Sequence, residues 1–168
     1  MYCVGATIVF YSGDVAKIKD DLALVQPTIF VSVPRLFSRF YDVLNAKLKE
    51  QTGYTKTALD YAVRTKLSNV QSSGSYTHKV YDPIFFSKTK QALGGKGRLM
   101  ISGSAPLLPD VHNFLKIAMC CPLLEGYGQT ENTGAGFITD ALDPVTRHVG
   151  GPVVIFYFYS VRFLIQTR

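Results

Sequence analysis

The stretch from Gly97 to Gly128 constrains the fold more than any other part of the chain. "GRLMISGSAPL" reads as a short apolar strand running into a loop of small residues. "PDVHNFLKIAM" reads as a helix with proline at its first turn, and "CPLLEGYG" as a second strand and loop. Strand, helix, strand in this order predicts a βαβ unit with a right-handed crossover and a parallel sheet. Open sheets of this kind bind ligands at the carboxyl ends of their strands. The two loops that follow these strands, "SGSAPLLP" and "EGYGQTE", therefore lie along one edge if the strands are neighbours.

The upstream half supplies further elements. "SGDVAKIKDDLALV" predicts a helix with Ser12 or Asp14 as its N-cap and Val15, Ile18, Leu22 and Val25 on one face. After Pro27, "TIFVSV" reads as an almost wholly apolar strand, the pattern of a strand covered on both faces. Pro34 opens a helix carrying Phe37, Phe40 or Tyr41, Leu44 and Leu48 at helical spacing. A second amphipathic stretch follows Gly53, with Leu59, Ala62, Val63, Leu67 and Val70. "QSSGSYTH" is loop-like, and "YDPIFFSKTKQALGG" predicts a helix from Pro83 to Gly94 or Gly95.

Composition narrows the class. The 168 residues, with 47% hydrophobic and 18% charged content, suit one globular domain. The net charge of +6 is concentrated between Ala46 and Arg98, where Lys47, Lys49, Lys56, Arg64, Lys66, Lys79, Lys88, Lys90, Lys96 and Arg98 face only Glu50, Asp60 and Asp82. Such a stretch favours phosphate groups or an anionic membrane surface, although each lysine is also an ordinary solvated helix position. No nucleic-acid motif accompanies it, so nucleic acid is not an expected partner. Cys3, Cys120 and Cys121 lack the spacing of a zinc site or disulfide framework, which points to a reducing compartment. The first residues do not read as a signal peptide, and no run approaches the roughly 18 apolar residues that span a bilayer.

At the edge itself, Gly103, Ser104 and Ala105 let a flat ring approach the backbone closely. Tyr127 offers an aromatic face, aimed by Gly126 and Gly128. Thr130 offers a hydroxyl for a phosphate oxygen, and Glu131 a hard carboxylate of the kind Mg²⁺ takes alongside substrate phosphates. Taken one loop at a time, the same residues are ordinary turn composition. His78, His112 and His148 read as isolated histidines, with no partner for His112 visible in its helix. Nothing in the sequence pairs Glu125 with Glu131 as acid and base.

Order and wording resolve the choice. "SGSAPL", "EGYGQTE" and "RHVGGPV", in that sequence, resemble the core of the AMP-forming acyl-CoA synthetases of the adenylate-forming superfamily. "GATIVFYSGDVAKIKDDLALVQPTIFVSVPRLFSRFYD" resembles the corresponding region of eukaryotic long-chain fatty acid–CoA ligases. The resemblance implies an α/β fold, part of the N-terminal domain of such an enzyme, with a mostly parallel sheet flanked by helices and incomplete at both ends. It implies ATP, Mg²⁺ and CoA as reactants, a long-chain fatty acid as substrate, and peripheral association with the cytoplasmic face of the endoplasmic reticulum or another membrane. Gly103, Ser104 and Ala105 would line the adenine, and Tyr127 would flank it. Gly126, Gly128 and Gln129 would shape the loop, Thr130 would contact the α-phosphate, and Glu131 would hold the metal.

The family's phosphate loop ending in lysine, its Thr-Gly-Asp motif and its C-terminal domain do not occur in this sequence. Residues 1–153 are accordingly expected to form part of the AMP-binding domain, and 154–168 to be an aberrant tail arising from the gene model. A chain so composed is expected to be inactive alone. Two alternatives stand beside this reading: a non-catalytic module that binds lipid or a partner, and an adenylate-forming ligase for another carboxylic acid.

Overall fold

The computed structural model describes residues 5–132 and 134–153; the tail expected at 154–168 lies outside the described residues. The described residues contain five α-helices and five strands. They are α1 (Ile18–Val25), β1 (Ile29–Ser32), α2 (Pro34–Lys49), α3 (Tyr54–Ser73), α4 (Ser87–Gln91), β2 (Leu99–Ser102), α5 (Pro109–Met119), β3 (Leu123–Gln129), β4 (Gly134–Ile138) and β5 (Gly151–Pro152).

The strands form one sheet in the order β1-β2-β3-β4-β5. β1, β2 and β3 run parallel, in the register Val31–Ile101 and Ile101–Leu124, as the strand–helix–strand pattern predicts. The other half differs. β3 does not end at Glu125 but continues as strand through Gln129, paired antiparallel with β4, which pairs antiparallel with β5. The "EGYGQ" segment is thus the arm of a hairpin rather than a free loop. Its glycines are what permit this, because β3 and β4 meet backbone against backbone. A Cβ on Gly128 would stand 2.1 Å from the Gly134 carbonyl oxygen. The register shifts between Tyr127 and Gly128, the irregularity of a bulge.

α5 lies at the centre of the packing. Val111, Leu115 and Met119 join Leu36, Phe37, Phe40 and Leu44 of α2, and Met100 and Leu123 of the sheet, in the larger core. Its opposite side, Ile117 and Ala118 with the following Cys120, packs on Leu59 and Ala62 of α3 and on Phe86. Phe30 meets Phe37 and Phe40 edge-on at 5.8 and 6.3 Å, while Tyr41 meets Phe114 at 5.0 Å. The helical spacings of α2 and α3 therefore face the core as expected. α5 ends without glycine, since Cys120 itself takes the left-handed cap conformation at φ 54°.

Three expectations need correction. β1 is not covered on both faces: Phe30 packs inward, but Ile29 and Val31 are 41% and 59% exposed among the described residues. Of the predicted first helix, Asp14 does cap a turn, accepting the Ala16 N–H at 2.9 Å, whereas Ser12 donates to the Asp21 carboxylate instead. Val15 and Val25 are exposed, leaving Leu22 as the buried residue of that face. The segment from Pro83 begins as one turn of π-helix over Asp82–Phe86 before the short α4.

Candidate functional site

β2 and β3 are neighbours, so the loops that follow them share one edge. Gly103 and Gly126 approach so closely that a Cβ on Gly103 would touch the Gly126 carbonyl oxygen at 3.7 Å. The Gly103 N–H is in turn held by the Ser32 carbonyl at 3.2 Å, which ties the same loop to β1. Ser104 sits at φ 77°, a left-handed conformation that a residue with a side chain adopts only when its surroundings enforce it. Ser104 and Ala105 are exposed above this turn, while Leu107 is buried below it.

The second group stands alongside. Tyr127 is half exposed, with its ring 6.2 Å from that of Phe137 across the hairpin. Gly128 and Gln129 are exposed beyond it, and Thr130 and Glu131 occupy a single 3₁₀ turn at the end of β3. The structure thus sets Gly103, at the carboxyl end of β2, beside Gly126 of β3, with Ser104 and Ala105 following on the loop and Tyr127 to Glu131 following along the hairpin arm. An open cleft of about 420 Å³, bordered by Lys90, Arg98, Cys120 and Cys121, lies at the amino ends of β2 and β3, away from these residues.

Beneath the edge lies a pair that sequence reasoning did not find. Glu125 is 4% exposed and His112 is 1% exposed, and His112 Nδ1 stands 3.0 Å from Glu125 Oε1. The contact is close, although neither atom meets hydrogen-bond geometry. His112 Nε2 faces the Leu123 carbonyl at 2.6 Å. Glu125 Oε2 accepts the Leu107 N–H at 3.2 Å, and the Glu125 backbone exchanges bonds with Thr139, its carbonyl accepting the Thr139 N–H at 3.0 Å.

Burial would push the Glu125 carboxyl upward, but contact with His112 and the Leu107 N–H, with added charge from Lys116, holds it below its ordinary value. The one signal in the sequence was a carboxylate set in the apolar run "CPLLEGYG": a buried acid needs a partner, and His112 is thirteen residues away on another element.

The remaining histidines are also partnered. His148 Nε2 lies 3.3 Å from Asp143, and His78 stacks on Tyr81. Lys66, one of the ten basic residues expected at the surface, is 1% exposed. Its amine donates to Asp82 at 2.5 Å, to the Ile117 carbonyl at 2.9 Å and to Cys120 at 3.1 Å, and it lies over the Phe86 ring. Among the described residues, no group of three or more His, Cys, Asp or Glu side chains could hold a metal.

The strand order, with glycine-rich turns at the ends of the parallel strands, defines an open α/β fold. The anthranilate CoA ligase AuaEII, solved in complex with anthranoyl-AMP, shares it. That structure superposes with a TM-score of 0.54 at 18% identity over 89% of this chain and 21% of its own. The AMP-binding enzyme family matches residues 1–159, and the chain belongs to that family. It is 37% identical over 153 residues to long-chain-fatty-acid–CoA ligase 6 of Rattus norvegicus, covering 91% of this chain and 22% of the relative. Against long chain acyl-CoA synthetase 7, peroxisomal, of Arabidopsis thaliana the identity is 40% over 148 residues, 88% of this chain and 21% of the relative. With ligase 1 of Cavia porcellus it is 40% over 153 residues. The chain thus spans about a fifth of the length of these relatives.

Proposed function

We propose that this chain is part of an ATP-dependent long-chain fatty acid–CoA ligase and carries the adenine, α-phosphate and metal side of its nucleotide site. The observation that carries the reading is the meeting of the 103–105 loop and the 126–131 segment at one strand edge. It occurs in a chain 37–40% identical to long-chain ligases over about nine-tenths of its length.

In this reading a fatty-acid carboxylate oxygen attacks the α-phosphorus of ATP, forming the acyl-phosphate bond as the bond to pyrophosphate breaks. CoA thiolate then attacks the acyl carbonyl and AMP leaves. Gly103, Ser104 and Ala105 offer backbone to the adenine plane, and Tyr127 flanks it. Gly126, Gly128 and Gln129 hold the hairpin arm that presents Thr130, whose hydroxyl donates to an α-phosphate oxygen. Glu131 is a single exposed carboxylate at the same turn. That donor set suits Mg²⁺ held chiefly by phosphate oxygens and water, rather than by a protein cage. The Thr130 hydroxyl would offset part of the charge that builds on the phosphorus during attack, and a cation held by Glu131 would supply further neutralisation there.

The groups that would grip the β- and γ-phosphates and the ribose do not occur in these 168 residues, so the chain alone binds nucleotide without turnover. Placement at the cytoplasmic face of a membrane is proposed on the family alone. Among the described residues no helix is long and apolar enough to cross a bilayer.

Titration with a fluorescent N-methylanthraniloyl-ATP tests the site. Saturable binding that ATP and AMP displace, that Tyr127→Ala weakens and that loses its Mg²⁺ dependence in Glu131→Ala is expected. Absence of any displaceable binding defeats the reading. Palmitate-dependent ATP–pyrophosphate exchange is expected at background; clear exchange abolished by Glu131→Ala would show that the chain is catalytic by itself.

A further inference from the structure

We propose that His112 and Glu125 form a clasp that fixes the spacing between the 103–108 loop and β3, making them positioning residues for the nucleotide edge. The inference rests on the nucleotide reading above.

Three segments meet at Glu125, two at its carboxylate and one at its backbone carbonyl. From α5, His112 reaches Glu125 Oε1 at 3.0 Å and the Leu123 carbonyl of β3 at 2.6 Å. From the loop carrying Gly103, Ser104 and Ala105, the Leu107 N–H donates to Oε2 at 3.2 Å. From the chain just after β4, the Thr139 N–H bonds the Glu125 carbonyl at 3.0 Å. Glu125 is followed directly by Gly126 and Tyr127, so its backbone position sets theirs.

A plain core pair would serve only its own two side chains. Here the carboxylate is the acceptor that the buried Leu107 N–H has, and removing it strands that donor away from water. Lys116, one helical turn along α5, adds positive charge near the carboxylate and itself reaches the Asp143 carbonyl at 3.5 Å. The strained turn at Ser104 lies between two anchors, the Gly103 N–H on Ser32 and the Leu107 N–H on Glu125. With the Leu107 anchor lost, the Gly103 N–H bond to Ser32 and the burial of the Leu107 side chain are left to hold that turn.

Hydrogen exchange followed residue by residue, with N-methylanthraniloyl-ATP titration in parallel, tests the clasp in the 168-residue chain. In His112→Leu, amides of residues 103–108 are expected to exchange about tenfold faster while those of α3 are unchanged, and nucleotide affinity is expected to fall about tenfold. His112→Gln, which restores a donor, recovers part of both effects. Should His112→Leu fail to fold, Glu125→Gln keeps the shape and an oxygen for Leu107 while discharging the pair, and a smaller loosening of the same loop is expected.

Loop exchange unchanged in both variants, or loosening of the loop and α3 alike, overturns the clasp. Loosening of the loop with unchanged affinity overturns its link to the nucleotide. If the parent chain binds no nucleotide probe, the site reading falls, and the exchange data alone still decide whether the clasp exists.

Discussion

Among the described residues two clusters of ionisable side chains are buried, and they hold different things together. Lys66 of α3 is surrounded by Asp82, the Ile117 carbonyl, Cys120 and the Phe86 ring, so its three donors are spent joining α3, the π-turn and the end of α5. His112 and Glu125 lie on the other side of α5, and their remaining polar atoms reach the backbone of β3 and of the loop at the candidate site. The first cluster fastens helix to helix far from the edge; the second fastens the edge. A buried charge does not reveal a functional role by its burial, but by which backbone groups depend on it.

The strongest way to break this contrast is Lys66→Ala. Removing one partner of a buried pair typically costs about 3–5 kcal/mol. The lower end is expected here, because Asp82 is partly exposed and also accepts the His78 N–H. Urea unfolding measures the loss. If the clusters differ as described, nucleotide affinity per folded molecule stays at the parent value, and a fall in affinity would erase the distinction.

Gly128→Ala strikes the edge with no change of charge. A Cβ there would sit 2.1 Å from the Gly134 carbonyl oxygen, a clash with backbone that no rotamer relieves. A destabilisation of about 1–3 kcal/mol is expected, with loss of the amide protection shared by β3 and β4. A stable, fully protected hairpin would show that the two strands do not meet as described.

Acid sharpens the comparison further. The Glu125 carboxyl is held below its ordinary value of 4.5, so the folded state binds its proton less readily than the unfolded state. Its contribution is therefore fully present above about pH 4.5 and is lost as pH falls through the lower folded-state value. Stability measured from pH 6 downward should fall less steeply in Glu125→Gln than in the parent; equal slopes would mean the Glu125 carboxyl is not held as described.

Next comes thiol chemistry. Burial pushes the Cys121 thiol up to about 12 and raises that of Cys120. Alkylation near pH 8 should therefore reach both only as fast as the chain opens, and Lys66→Ala should speed it while Glu125→Gln should not. The smallest effect is expected at Asp14→Ala, outside both clusters, where loss of the cap to Ala16 costs about 1 kcal/mol.

Much of the parallel half was legible in the sequence, because its signals are local. The spacing of Phe37, Phe40 and Leu44 placed α2, and the run from Leu99 to Leu124 gave β2, α5 and β3 in order. The antiparallel half was not, since Gly126 and Gly128 carry the same composition whether they turn or pair, and their pairing partners at 134–138 show no alternation of their own. The candidate residues were found one by one through resemblance, but what supports them was not. Lys66 looked like any helix lysine, and its partners Asp82, Ile117 and Cys120 lie sixteen to fifty-four residues away. His112 looked isolated because its partner stands on a strand that only the crossover brings beneath it. "TIFVSV" suggested double coverage because hydrophobicity records what a strand can bury, not what is present to bury it.

β1 carries that last point into behaviour. Among the described residues it ends the sheet, with one row of backbone donors and acceptors facing no strand and with Ile29, Val31 and Val33 bare beside it. Such a border is adhesive: any extended segment of matching pitch can zip onto it. Relatives about four times as long have chain enough to occupy it. Made at high concentration by itself, this chain would find the matching segment in its own copies, and its solubility would be set at that border before any question of catalysis arose.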